Sequence, residues 1–217
     1  MKERELKEIA SQLSCPNGDS GLKMAERMNR TNLGMIINTI NSLELKSNDH
    51  VLELGHGKAN HLSEILRQVD NISYYGLEIS ESMKAESEKS NDSFIKKNQS
   101  KFELYDGSNI PFSDHSFDKI MTVNTIYFWD KPLTLLLEIY RVLKPKGQCL
   151  ITFANKDFMQ SLPFVDSRFE LYDFDKIKGL GAKIPFSSID GIYKNEEVES
   201  KTGDRVNREY TIIRFTK

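Results

Sequence analysis

The stretch Val51-Leu52-Glu53-Leu54-Gly55-His56-Gly57-Lys58-Ala59-Asn60 carries the strongest chemical signal in the chain. An apolar run ends in a glycine loop, and a helical pattern follows. Gly55 and Gly57 let the backbone approach a ligand closely. In an open α/β sheet such a loop sits outside the carboxyl ends of the strands, where ligands bind. Glu53 sets the chemistry, because a fixed carboxylate just before the loop repels a pyrophosphate and attracts the ammonium of an amino-acid ligand. The third glycine of a dinucleotide fingerprint is missing, since Asn60 stands there.

A second acid, Glu78, closes Tyr74-Tyr75-Gly76-Leu77-Glu78, where a carboxylate can accept hydrogen bonds from ribose hydroxyls. A third, Asp106 in Leu104-Tyr105-Asp106-Gly107-Ser108, is placed to accept from an exocyclic amino group such as that of adenine. Each acid alone could be an ordinary solvated strand end. Together with the glycine loop they suit a ligand with an ammonium, a ribose, an adenine and a sulfonium, and no phosphate.

In order and spacing these motifs resemble the class I S-adenosylmethionine-dependent methyltransferases, from about Met28 to Phe153, and above all their small-molecule, ubiquinone-biosynthesis-like branch (methyltransferase type 11). Glu53-Leu54-Gly55-His56-Gly57 matches the family's first motif, Glu78 its ribose-binding acid, and Asp106-Gly107 with Ile110-Pro111-Phe112 its adenine motif. Phe117-Asp118 and the Leu143-Lys144-Pro145-Lys146-Gly147 turn match as well. The resemblance implies S-adenosyl-L-methionine as cofactor and transfer of its methyl group by in-line displacement to a small-molecule acceptor.

Carried over residue by residue, Gly55, His56 and Gly57 lie against the methionine portion, and Glu53 reaches the ammonium directly or through water. Glu78 holds the ribose hydroxyls, Asp106 with the Gly107 amide reads adenine, Asn124 at the end of the fourth strand offers its carbonyl to the ammonium, and Ile79, Met83, Ser108 and Thr125 are further cofactor contacts. Met28-Asn29 corresponds to a segment that covers the cofactor. Ala59 stands at the family's third glycine position.

Tyr127, Phe128 and Trp129 follow the fourth strand at the edge where an acceptor enters. Tyr127 and Trp129 are the candidate substrate contacts, while Phe128 is expected in the core. If the reaction needs a base, His56 and Tyr127 are the candidates by position, with His56 alternatively packing on the cofactor. His61 and His115 are expected at the surface. The acceptor atom, whether O, N, C or S, is not specified by any motif.

Positioning these residues requires strands with right-handed crossovers. Short apolar runs alternate with amphipathic helical patterns from residue 50 onward, which predicts a doubly wound, seven-stranded, mostly parallel α/β sheet of Rossmann-like methyltransferase type with an antiparallel C-terminal hairpin. Strands are expected at 50–54, 73–77, 101–105, 117–123 and 148–153, then about 188–199 and 205–215 around a Thr202-Gly203-Asp204 turn. Helices are expected near 59–68, 81–97 and 131–143, and one begins at an Asp173 cap and ends at Gly179 or Gly181. Residues 1–46 form a helical cap and 47–217 the core, one domain overall. Within the cap, Leu6, Ile9, Ala10 and Leu13 mark a first helix, Met24 and Met28 a short second one, and Thr31 or Asn32 the cap of a third. Phe158, Met159, Phe164 and Phe169 suggest an apolar pocket, a lid or an extra helix.

Composition narrows the classes. Lys plus Arg number 30 against 32 for Asp plus Glu in 217 residues, so no broad positive field attracts nucleic acid or an anionic bilayer. No apolar run is long enough to span a membrane or serve as a secretory segment, and a cytoplasmic location is expected. Cys15 and Cys149 lack metal-ligand spacing, so neither a metal site nor a disulfide is expected. Oligomeric state is open.

Three rivals share parts of the pattern. A nicotinamide-dependent oxidoreductase is disfavoured by Glu53, and an aminopropyl transferase by the lack of a clear second acidic cluster. A protein that binds the cofactor without turnover fits the same motifs. A nucleic-acid or protein methyltransferase is a further alternative, for which Asn124-Thr125-Ile126-Tyr127 keeps the ends of an Asn-Pro-Pro-Tyr motif without its prolines.

Overall fold

The computed structural model describes residues 3–199 and 205–217. Five apolar runs form parallel strands: β1 (His50–Leu54), β2 (Ser73–Glu78), β3 (Ser100–Leu104), β4 (Phe117–Val123) and β5 (Leu143–Ala154). Two longer strands, β6 (Ser188–Glu199) and β7 (Arg205–Thr216), complete a seven-stranded sheet in the order β3-β2-β1-β4-β5-β7-β6. β7 runs antiparallel to both of its neighbours, with Ile151 opposite Ile213 and Ile192 opposite Ile212. The doubly wound sheet and its antiparallel C-terminal pair are as the sequence predicts. The Thr202-Gly203-Asp204 turn lies outside the described residues.

The chain order reverses direction at β1, whose neighbours are β2 and β4. Such a switch point opens a crevice at the carboxyl ends of the strands. Alternation along β1 decides which face each side chain serves. Leu52 and Leu54 join the core under α6 (Pro132–Val142) and α8 (Phe174–Gly181), while Val51 joins the core under α2 (Gly18–Ser42) and α3 (Leu62–Leu66). Glu53 shares the face of Val51. α1 (Glu3–Ser14) packs its apolar stripe on the first of these cores, as does α7 (Lys156–Gln160) through Met159.

Several helices differ from expectation. Residues 18–42 form one continuous helix, α2, instead of two, and Thr31 is buried in its middle, not at a cap. Burial of Ala25, Met35, Ile36 and Ile40 along one face outweighs the weak local stop that Thr31-Asn32 offers. The helix expected at 59–68 is reduced to α3, because Ala59 adopts a left-handed conformation with φ 47°. The helix expected at 81–97 divides at Asn91 into α4 (Glu81–Ser90) and α5 (Asp92–Lys96). There the Asn91 amide is drawn to the Ser87 and Ala59 carbonyls. Asp173 caps α8 by accepting from the Lys176 amide at 2.8 Å. None of the helices among the described residues is long and apolar enough to cross a membrane.

Candidate functional site

A cleft enclosing about 1040 Å³ and open to solvent lies at the carboxyl ends of β1, β2 and β4. Its floor is the loop after β1. Gly55 (φ 71°) and Gly57 (φ 56°) both stand in the left-handed region. At Gly57 no atom lies within 4 Å of where a Cβ would be, so the backbone faces open space. At Gly55 a Cβ would come to 2.5 Å from Thr125 Cγ2, so this glycine also admits the β4 loop.

Glu78 is the fixed anion of the site. It is 5% exposed, and its Oε2 accepts from the Gly57 amide at 2.9 Å while Oε1 accepts from the Ile79 and Ser80 amides at 2.8 and 3.2 Å. Three backbone donors thus hold the carboxylate at the mouth of the glycine loop. Ile79 and Met83 line the same wall, and Ser80 accepts from the Met83 amide at the start of α4.

Glu53 sits deeper, with Oε2 accepting from His61 Nε2 at 2.8 Å and from the Tyr74 hydroxyl at 2.6 Å. Burial pushes the Glu53 carboxyl upward, but His61 and Tyr74 together outweigh it and hold the group below its ordinary value. His61 responds in the opposite sense: burial lowers its pKa, and the Glu53 carboxylate raises it beyond that loss. The surface position expected for His61 is therefore corrected. It is 4% exposed and lines the cleft beside Glu53.

His56 turns under the loop instead of over it. Its ring lies where a Gly76 Cβ would be, 2.5 Å from His56 Cδ2, and meets Phe102 edge-on at 5.0 Å between centroids. Nδ1 is 2.9 Å from the Gly57 carbonyl and Nε2 has no partner. Burial pushes its pKa down, so the imidazole is neutral. The ring is wedged between the loop and the β2–β3 face, and His56 is also among the residues that line the cleft.

The adenine-side residues divide. Gly107 (φ 79°) and Tyr105 line the cleft, whereas Asp106 and Ser108 do not. Asp106 Oδ1 accepts from the Ser108 and Asn109 amides, each at 2.7 Å, and these bonds hold its carboxyl below the ordinary value. It pins the turn that presents Gly107.

The roof comes from α2 and the preceding turn, through Met28, Asn29, Asn32 and Pro16. The far wall is the end of β4. Asn124 has φ 59°, its Oδ1 accepts from the Tyr127 hydroxyl at 3.0 Å, and Trp129 Nε1 donates to Thr125 Oγ1 at 3.1 Å. Of the aromatic trio, Tyr127 and Trp129 are buried and Phe128 is half-buried between the cleft and a neighbouring chamber. Phe128 packs against the core as expected while remaining half-buried, and Tyr127 and Trp129, expected as substrate contacts, are themselves core residues. The Tyr127 hydroxyl also approaches the Ala154 carbonyl at 3.1 Å, and burial pushes its pKa well upward. It is a donor to two acceptors, a poor arrangement for a base.

The donor set fits a particular ligand class. Two buried carboxylates face a backbone cradle, His61 is paired with Glu53 at 2.8 Å, and Lys58 is held by Glu86 at 3.5 Å and Glu26 at 3.8 Å. Ammonium and hydroxyl groups suit this rim and a pyrophosphate does not. Ala59 fills the third glycine position in the left-handed conformation that a glycine would take there. Among the described residues no group of three or more His, Cys, Asp or Glu could hold a metal ion.

Comparison with known proteins agrees with this geometry. Residues 52–151 match the family described as "Methyltransferase domain". The uncharacterized methyltransferase YdaC of Bacillus subtilis is 27% identical over 120 residues, which is 55% of this chain and 64% of that protein. The chain thus spans somewhat less than two thirds of that relative's length. Among solved structures, the YcgJ protein of B. subtilis superimposes with a TM-score of 0.69 at 14% identity, covering 86% of this chain and 97% of that one. An S-adenosylmethionine-dependent methyltransferase from Aquifex aeolicus gives 0.60 at 18% identity, covering 86% and 92%. With this fold and this cleft, the match over residues 52–151, a little under half of the chain, makes that segment similar to the methyltransferase-domain family, and the sheet shares the fold of solved S-adenosylmethionine-dependent methyltransferases.

Proposed function

We propose that the protein transfers the methyl group of S-adenosylmethionine to a small-molecule acceptor by in-line displacement. The observation that carries this reading is the continuity of two cavities. The cleft with its two buried carboxylates opens at Asn124 and Phe128 into a chamber of about 580 Å³. When bound, S-adenosylmethionine supplies the electrophilic methyl group. The chain supplies position and dryness, and good alignment of reacting groups is worth about 7–11 kcal/mol of barrier.

In this reading Glu78 binds the ribose hydroxyls, and Glu53 with the Asn124 carbonyl binds the ammonium. Gly55, Gly57, Ile79, Met83, Gly107 and Thr125 form the walls, with Met28 and Asn29 above. Asp106 and Ser108 act on the adenine side through the turn that presents Gly107, and His56 supports the loop from beneath. Tyr127 and Trp129 shape the acceptor side, and neither His56 nor Tyr127 is assigned as a base. The residues 1–46 act as a cap over the cofactor. The balanced charge and the apolar lining of the chamber favour a small acceptor over nucleic acid, and a cytoplasmic location suits such chemistry.

Calorimetric titration with S-adenosylmethionine, S-adenosylhomocysteine and NADH tests the reading. Binding of the first two, lost in Glu78→Ala and absent for NADH, supports it. Binding of NADH alone overturns it.

A further inference from the structure

We infer that the chamber beside the cleft takes an uncharged, apolar acceptor whose nucleophilic atom sits at the end facing Asn124. The word acceptor rests on the methyl-transfer reading, whereas the ligand class rests on the chamber itself.

The walls are assembled from distant parts of the chain: Leu13 of α1, Tyr127 and Phe128 after β4, Met159 of α7, and Phe164 and Phe169 beyond it. Phe128 and Phe169 lie 4.8 Å apart between ring centroids, and Phe164 and Phe169 6.3 Å, so aromatic faces and edges dominate one side. The segment is fastened in place. The Glu170 amide donates to the Tyr127 carbonyl at 2.9 Å, and the Arg168 guanidinium reaches the Lys7 carbonyl in α1 at 3.3 Å. Leu13, Met28, Asn32, Asn124 and Phe128 line both cavities, and of these Asn124 directly follows the central strand β4, which puts it at the boundary on the sheet side.

Charge decides the ligand class. Among the described residues, the single buried cation lining the chamber is Arg208, which is 5% exposed and already committed. Its Nη2 donates to Glu196 Oε1 at 2.6 Å and to the Thr31 carbonyl at 2.7 Å, and Nε donates to the same Glu196 oxygen at 3.1 Å. The pair contributes no net charge, and Glu199, the remaining charged side chain among the described lining residues, stands exposed at the rim. The Tyr127 hydroxyl has one proton and two acceptors for it. An ammonium or carboxylate entering the interior would shed its water and meet no counterion. An apolar ring or chain would instead exchange water for aromatic and aliphatic contact.

The test is titration of the full chain with three probes of one shape: 2-naphthylmethanol, naphthalene-2-carboxylate and 2-naphthylmethylamine. S-adenosylhomocysteine is titrated separately in each case. We expect the alcohol to bind at least about tenfold more tightly than either ion. Met159→Trp, which fills the chamber, and Phe164→Asp, which charges it, should each weaken the alcohol by about tenfold or more, with S-adenosylhomocysteine affinity changed by less than about threefold. Equal or tighter binding of either ion overturns the inference. So does failure of the alcohol to bind, or its indifference to both substitutions. If the alcohol binds selectively and responds to the variants but S-adenosylhomocysteine does not bind, the chamber assignment stands and the methyl-transfer reading falls.

Discussion

His61 Nε2 lies 2.8 Å from the same Glu53 oxygen that accepts from Tyr74, and the side chains of this ion pair are each 3% exposed. The shared oxygen, Oε2, is thus held from two sides, which fixes the carboxylate of a residue that lines the cleft.

This pair makes stability depend on pH. His61 has its folded pKa raised above 6.5, so between 6.5 and that value the folded state holds a proton that the unfolded state has lost. Stability therefore falls as pH rises through that window. His56 is lowered below 6.5, so stability falls on its account as pH drops under 6.5. Melting temperature measured from pH ~5 to ~9 should peak near the ordinary histidine range. His61→Gln should cost about 3–5 kcal/mol and flatten the alkaline limb, because Glu53 then lacks its buried partner. An unchanged alkaline limb would refute the pair's role.

Gly76→Ala should destabilise by about 1–3 kcal/mol through overpacking. The new methyl would sit 2.5 Å from His56 Cδ2 and 2.8 Å from Phe102 Cδ1, both rigid ring atoms. Adding His56→Ala should recover part of the loss, and chemical denaturation of the two single variants and the double variant measures that coupling. His56→Ala alone should lower turnover by less than about tenfold, since removing a true general base typically costs about 10²–10⁴.

The strands, the glycine loop and the acids were legible because apolar alternation and strand-end position are local properties. Partners across the sheet were not. His61 looked like a surface residue because nothing local tells that Tyr74 and His61 converge on the face that Glu53 shares with Val51. Asp106 looked like a ligand contact because its position at a strand end is local, whereas its capture by the Ser108 and Asn109 amides depends on the turn's geometry. The aromatic cluster at 158–169 was visible as composition. Its enclosure of a chamber depends on α1 and β7, which lie far away in sequence.

Glu78→Gln tests the cradle more finely than alanine does. The carboxylate accepts from three amides, and a carboxamide keeps the shape but turns a donor toward at least one of them. A hydrogen bond to a charged group is worth about 1.5–3 kcal/mol, so S-adenosylhomocysteine affinity should fall by about tenfold or more. Retention of wild-type affinity in calorimetry would remove Glu78 from the ribose role.

Glu196 rests directly on Gly34 of α2, where any Cβ would collide with its carboxylate, and Arg208 holds that carboxylate from β7. The C-terminal strand pair is thereby tied to the helix that roofs the cleft. Gly34→Ala forces Glu196 Oε2 to move, and the prediction is that this carries Oε1 off Arg208, whose guanidinium, 6% exposed, then keeps the Thr31 carbonyl but loses its counterion. The expected cost is about 1.5–3 kcal/mol for the charged hydrogen bonds, offset by roughly 0.5–1 kcal/mol of helix propensity gained by alanine. In a Glu196→Ala background the collision is gone, so only the propensity gain remains and Gly34→Ala should become neutral or stabilising. A double-mutant cycle followed by thermal unfolding reads the difference, and additive effects would mean that the contact does not tie the two elements.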